Sequence, residues 1–299
     1  LGLRALVHIP AGDLDAALAL GLRSGLGDEY LRIGGIKLFA DGALGPQSAH
    51  MLAPYEGTAD TLGIPTLTAG ELRDMVRRAR VGGLSIAAHA IGDAANRCVL
   101  DAIEYAQSQI RAGGHLPFLP DRIEHVQLLH PDDLPRLASL GVVASMQPIH
   151  APSDMEMAER HWGRRCDLSY AWRSVLDSGA HLAFGSDCPV ETLDPLPGIH
   201  AAVTRRSRDG SPGPEGWIPA QRLTVTEAVH AYTMGVAQAS GEAHLKGSLS
   251  PGKLADVTVL SRDLFTIEPM EILDSRVTMT IFDGQIVFPG AGMEASLPK

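Results

Sequence analysis

The feature that most constrains this chain is a rhythm of short apolar runs alternating with helix-patterned segments. The runs are Leu3–Ile9, Ile33–Phe39, Leu84–His89, Arg122–Val126, Val142–Met146 and His181–Gly185. Between them lie an Ala/Leu-rich stretch over Asp13–Gly21, a Thr68-Ala69-Gly70-Glu71 capping box opening a helix to about Arg80, and helical patterns over Asp93–Gln109, Pro131–Leu140 and Tyr170–Ser178. Strands separated by helices pair in parallel, because two neighbouring parallel strands need a crossover of helix length. Further helical patterns cover Pro195–Thr204 and Thr224–Ala239. Two long segments, Ala40–Thr68 and the stretch from Gln147 past Trp162 to about Leu168, are expected as loops framing a pocket.

After Gly247 the texture changes. Ala255–Leu260, Arg276–Phe282 and Gln285–Phe288 read as strands, the last two joined by Asp283-Gly284, a strong hairpin signal. The expected division is therefore an α/β unit over residues 1–245 and a small β-unit over 246–299. The opening residues read as a strand entered directly, without an initiator Met or a basic leader, so a piece of a longer protein is expected.

Composition excludes some partners. A net charge of -10 disfavours nucleic acid and anionic membranes. No apolar run approaches the roughly 20 residues of a membrane helix. Cys98, Cys166 and Cys188 are scattered and form no C-x-x-C pair, which fits a reducing cytoplasm better than a disulfide framework.

The sixth run stops at Gly185-Ser186-Asp187, and Pro189 prevents its continuation as a paired strand. A carboxylate is thus left at the carboxyl end of a buried strand. Lys37, His89 and His125 lie in or at the ends of three other runs. The four meet only if the strands curl so that their carboxyl ends converge, as in βα-barrels. Imidazole and carboxylate ligands suit zinc or a similar divalent ion, which makes water nucleophilic, and Asp187 beside it can carry the proton. Each residue has a plainer reading: a hydrogen-bonding histidine, a turn-capping aspartate, a lysine that has found a partner. Four such endings in one chain favour the functional reading.

Gln147 and His150, on the segment after the fifth strand, are candidate substrate contacts. His8, His50, His115, His130, His161, His181, His200, His230 and His244 have no comparable placement. Cys188 lacks a paired base and makes a poor nucleophile. No Gly-x-Gly-x-x-Gly follows a strand and no P-loop occurs, which speaks against a dinucleotide or phosphate-binding barrel.

Taken together, Lys37-Leu38-Phe39-Ala40-Asp41-Gly42, His89-Ala90-Ile91-Gly92-Asp93, Ile123-Glu124-His125-Val126-Gln127 and Gly185-Ser186-Asp187-Cys188-Pro189-Val190 resemble the amidohydrolase superfamily, in its branch of N-substituted formamide deformylases and YtcJ-like hydrolases. Gly247–Val257 is similar to the segment leading into that family's second domain. The resemblance implies a TIM (β/α)8-type barrel with one or two divalent metal ions, zinc foremost, and a small β-sandwich. It implies Lys37, carboxylated or not, together with His89, His125 and Asp187 as metal ligands, and Asp187 as proton shuttle. The family's first-strand His-x-His motif has no counterpart here. The six strands would then be the third to eighth of the barrel, with exposed edges that favour homo-oligomers.

The expected function is metal-dependent hydrolysis of C–N bonds in small amides, in a pocket lined by Met51, Tyr55, Met155 and Trp162. The alternative is a catalytically inactive truncated barrel acting at most as a binding or interaction module.

Overall fold

The structure, a computed structural model, describes residues 2–110 and 117–289. The middle of the loop expected before the fourth strand, with His115, lies outside the described residues. Six strands form one sheet: β1 (Ala5–Pro10), β2 (Leu31–Phe39), β3 (Ile86–Ala90), β4 (Arg122–His125), β5 (Val143–Met146) and β6 (Leu182–Phe184). They neighbour one another in chain order, and every pairing is parallel. All six expected strands are present, with ends moved by one or two residues. Among the described residues β1 pairs only with β2, and β6 only with β5.

The period of two along each strand separates two faces. Ile36, Leu38, Ile86, Ala88, Ile123, Ala144, Leu182 and Phe184 join the main apolar core. The helices supply its other half through residues such as Leu72, Val76, Val99, Leu100, Ile103, Leu137 and Val175. On the opposite face Lys37, Arg122, Glu124 and Ser145 line a cavity of about 350 Å³ with His8. One face is thus a conventional core, and the other carries a largely half-buried polar group beside a small apolar cluster of Val143, Ala183 and Ala239.

Helix α1 spans Leu14–Ala19, and α2 spans Ala69–Val81 behind the expected capping box, in which Glu71 N donates to Thr68 Oγ1 at 3.3 Å and Thr68 N to Glu71 Oε2 at 2.9 Å. Then follow α3 (Asp93–Ile110), α4 (Leu134–Ser139), α5 (His150–Trp162), α6 (Trp172–Asp177), α7 (Pro195–Thr204), α8 (Val225–His230) and α9 (Val236–Ala239), with a π-helical turn over Ala231–Gly235 joining the last two. Helix α5 corrects the expectation of a loop there. Its buried Ala151, Met155, Ala158 and Trp162 recur at helical spacing, while Pro152 falls in the first turn, where a missing N–H costs nothing.

Strands β7 (Val257–Leu260), β8 (Val277–Phe282) and β9 (Gln285–Phe288) form a separate antiparallel sheet. Its expected hairpin is present. Asp283 and Gly284 have φ of 52° and 76°, both left-handed, as a type I′ turn requires. Arg4 ties this sheet to the start of the chain, 2.6 Å from Asp256 and 3.2 Å from Asp283, with its guanidinium 4.9 Å from the rings of Tyr30 and Phe282.

One buried carboxylate organises the amino ends of β3 and β4. Asp121 forms an ion pair with Arg80 of α2, accepts Ile86 N at 2.9 Å, and offers its carbonyl to Val143 N. Both side chains are about 95% buried. Removing one partner leaves an uncompensated buried charge, so Arg80→Ala is predicted to cost about 3–5 kcal/mol, read as a lower urea midpoint. A change below about 1 kcal/mol would show that the pair is not a staple of the sheet.

Candidate active site

The carboxyl ends of β2, β3, β4 and β6, with the start of α5, surround a second cavity, of about 470 Å³. Its wall includes Lys37, His89, His125, His150 and Asp187. Backbone turns set two of these residues. His125, the last residue of β4, has φ of 77°, followed by Val126 at 46°, and Asp187 has φ of 58°. Such conformations are sparsely populated by residues other than glycine and cost about 1–3 kcal/mol each. They break the strand's alternation at the point where side chains must turn over the sheet's end.

The result is a convergence. The rings of His89 and His125 lie 4.6 Å apart, and those of His125 and His150 6.1 Å apart. One ligand atom each from His125, His150 and Asp187 lie within 4.8 Å of one another. His150 Nε2 is 3.4 Å from Asp187 Oδ2, and its Nδ1 is 3.7 Å from Glu191 Oε1. His150 therefore belongs with the metal-capable side chains. The sequence reading, which took α5 for a loop, had it only as a substrate contact.

Hydrogen bonds orient the imidazoles. Gln147 Nε2 donates to the Ser145 carbonyl at 3.2 Å, so its Oε1 faces His125 Nδ1 at 2.8 Å. His125 must then carry its proton on Nδ1, which leaves the Nε2 lone pair free. Gln147, expected to touch substrate, is here the residue that orients His125. His89 Nε2 lies 2.9 Å from the Gly42 carbonyl, so its Nδ1 is the free nitrogen.

The Gly42 carbonyl is held in turn by its loop. Asp41 accepts His50 N at 2.9 Å, Ile91 N at 3.0 Å and Gly92 N at 2.8 Å, stitching the loop after β2 to the end of β3. A Cβ at position 92 would sit 1.9 Å from the His50 carbonyl oxygen, so this closure requires glycine.

Electrostatics prepare the nitrogens. Burial, reinforced by His89, pushes the His125 pKa down to about 4, and the Asp187 and Glu124 charges only partly oppose it. His89 is lowered by burial as well. Both imidazoles are neutral near pH 7, the form a metal takes. Burial lowers the Lys37 ammonium too, with Glu124 and Asp187 opposing and Arg122 assisting. Lys37 Nζ stands 4.9 Å from the Phe39 ring centroid.

Beneath the rim lies a network that the sequence reading missed. Arg122 Nε is 2.6 Å from Glu124 Oε1, and its Nη2 2.6 Å from His8 Nε2, while His8 Nδ1 accepts Gly35 N at 2.9 Å. Burial pulls the Glu124 carboxyl upward, but Arg122, Ser145 and Lys37 outweigh it and keep it below its ordinary value. The signal was available: Arg122 and Glu124 are two apart in a buried strand and so share the face of Lys37. Asp154 and Glu191 on the cavity wall carried no such signal. Met51, Tyr55 and Trp162 are core residues at 1% exposure or less, and Met155 is also buried. None of the four lines either cavity, because the segment carrying Met155 and Trp162 is a helix whose apolar stripe faces the core.

An amidohydrolase family profile matches residues 2–288. A Bacillus subtilis (strain 168) protein named as an amidohydrolase, YtcJ, is 35% identical over 264 residues, which make up 88% of this chain and 48% of YtcJ. N-substituted formamide deformylase of Arthrobacter pascens is 29% identical over 264 residues, 88% of this chain and 47% of that enzyme. An uncharacterized metal-dependent hydrolase from Pyrococcus horikoshii superposes with a TM-score of 0.77 at 33% identity, over 89% of this chain and 52% of that one. The chain spans about half the length of the curated relatives it matches.

The buried imidazoles make a pH prediction. His8, His125 and His200 are each lowered by burial from 6.5 to about 4. Between pH 6.5 and 4 the unfolded chain therefore binds protons that the folded chain refuses, and stability falls as pH falls. Asp41, raised by burial to about 6, and Asp154, also raised by burial, act in the opposite sense, but burial lowers His50 and His89 as well, two groups against five. The chelator-treated chain should melt at lower temperature at pH 5 than at pH 7, with a smaller difference in His125→Gln. A melting temperature that is flat across this range would contradict the assignment.

Proposed function

We propose that this chain, which belongs to the amidohydrolase family, carries the metal centre of a hydrolase that cleaves C–N bonds in small amides. The observation that carries the reading is the approach of His125, His150 and Asp187 to within 4.8 Å of one another at the carboxyl end of the sheet. Two imidazoles and a carboxylate, one imidazole held neutral by burial and oriented by Gln147, are a donor set that suits zinc or a similar ion. His89 and Lys37 on the same wall extend the set towards a second ion, with Lys37 Nζ as the point of carboxylation. When bound, the ion lowers the pKa of water and polarises a carbonyl oxygen.

The chain's own groups do the rest. The Asp187 side chain, 36% exposed, reaches both the cavity and solvent. It takes the proton of the attacking water as the new C–O bond forms and delivers it to the leaving amine nitrogen as the C–N bond breaks. His150, 3.4 Å away, holds that carboxylate in place. Ala43, Leu44, Ile91 and Val190 give the wall an apolar portion for the substrate's substituents.

The singly wound six-stranded sheet supports a TIM-type barrel as the architecture, with residues 1–245 as the catalytic unit and 246–299 as part of a second, small β-domain. The two sheet edges favour homo-oligomers. Among the described residues no helix is long and apolar enough to cross a membrane, and the scattered free cysteines favour a cytoplasmic setting. The reading as an inactive binding module is not favoured by the family match or the structural neighbours.

The test is turnover of N-substituted amides. Activity should vanish with chelator and return with zinc. Asp187→Asn should lower kcat by about 10²–10⁴-fold. An Asp187→Asn variant turning over at the parent rate would contradict the mechanism.

A further inference from the structure

A third cavity, of about 440 Å³, adjoins the candidate active site where β1 ends. Pro10, Ala11, Leu38, Leu67 and Met75 make its lining largely apolar, and it shares Lys37 and Phe39 with the cavity that holds His125, His150 and Asp187. Phe39 is the unusual member. It is 52% exposed, although its ring lies 5.0 Å from that of His89 and 4.9 Å from Lys37 Nζ. Its backbone is fixed: the Thr66 hydroxyl donates to the Phe39 carbonyl, and Thr66 N donates to the Ala40 carbonyl at 3.0 Å. These bonds return the loop after β2 to the strand end and set Leu67 on the cavity wall, one residue before the Thr68 cap of α2. An apolar cavity beside a few convergent polar groups is the arrangement of a small-molecule site, in which the polar groups orient and the apolar lining supplies affinity.

We propose that this cavity takes the acyl substituent of the substrate, so that the chain acts on amides of medium-length alkanoic acids. The proposal rests on the hydrolase reading above and narrows its substrate class. The two substituents of an amide carbonyl point apart. Asp187 delivers its proton to the leaving nitrogen, so the amine half lies towards the end of β6, with Val190 and Glu191. The acyl half then points across the cavity towards β2, whose Lys37 and Phe39 line both cavities. A formamide, with only hydrogen on its carbonyl, would leave the space beside Phe39 empty. An alkyl chain passing over Phe39 would fill that space and cover the exposed ring.

The experiment measures kcat/KM for two pairs of substrates in the zinc-loaded parent chain and in Ala11→Phe and Leu67→Asp, with melting temperature and zinc content read alongside. N-benzylacetamide and N-benzylhexanamide vary the acyl half; N-ethylacetamide and N-hexylacetamide vary the amine half by the same length. Each buried methylene is worth roughly fourfold, so the parent should prefer the hexanamide to the acetamide by at least about tenfold. Ala11→Phe fills the cavity and Leu67→Asp puts a charge on its wall. Each should erase the acyl preference and leave the amine ratio at the parent's value, and because the two positions lie on different segments, misfolding of one variant leaves the other to decide. A parent that cleaves the acetamide with no gain from the longer acyl chain would overturn the proposal and leave the hydrolase reading intact. So would an acyl preference that survives in either folded, zinc-loaded variant. An amine ratio that falls with the acyl ratio, or in its place, would overturn the acyl assignment. A zinc-loaded parent that turns over none of these amides would overturn the hydrolase reading, and this proposal with it.

Discussion

Parallel pairing in strict chain order is the constraint on which the rest of the structure depends. Each strand is added beside its predecessor and runs the same way, so all six carboxyl ends open on one side. Any side chain at such an end faces its counterparts on neighbouring strands, however far apart they are in sequence. Phe39 pairs with His89 and Ala90 with His125. That is how residues separated by dozens of positions come to share one cavity wall. Helices cover one face of the sheet, and the other is left free to be polar.

A polar face inside a fold is expensive unless its charges answer one another. Here they do. Glu124 lies between Arg122 and Lys37, Arg122 also meets His8, and His8 accepts a backbone amide. The same burial keeps His125 and His89 neutral and lowers Lys37, so the desolvation that threatens stability also prepares nitrogen lone pairs. Strain is concentrated in the same place. His125 and Asp187 hold left-handed backbone conformations, stabilised by packing around them, and each presents a group that the proposed chemistry uses.

Much of this is legible in the sequence, and the boundary has physical causes. Strands β1 to β6 are readable because their apolar runs end at Gly, Pro or charged residues, and Lys37, His89, His125 and Asp187 stand out against those runs. Helix α5 is harder to see, because its stripe of Ala151, Met155, Ala158 and Trp162 is diluted by charged neighbours and opens with a proline. Misreading it as a loop hides the position of His150. The orienting role of Gln147 depends on amide geometry, and the lack of a partner for the buried Gln127 Oε1 among the described residues depends on what fails to come near it. Neither property has a local sequence signature. The pairing of Arg4 with Asp256 and Asp283 across the chain is equally invisible to any window of sequence.

The central claim is that strand ends and the first turn of α5 converge to hold a divalent ion. Zinc titration by calorimetry, on the chelator-stripped chain and on its His150→Ala variant at pH 7.5, tests it most directly. The account predicts binding of at least one equivalent by the parent chain and its loss in the variant, since His150 is one of three side chains whose ligand atoms meet within 4.8 Å. No binding by the parent, or equal binding by the variant, would contradict the claim that this cluster is the metal centre.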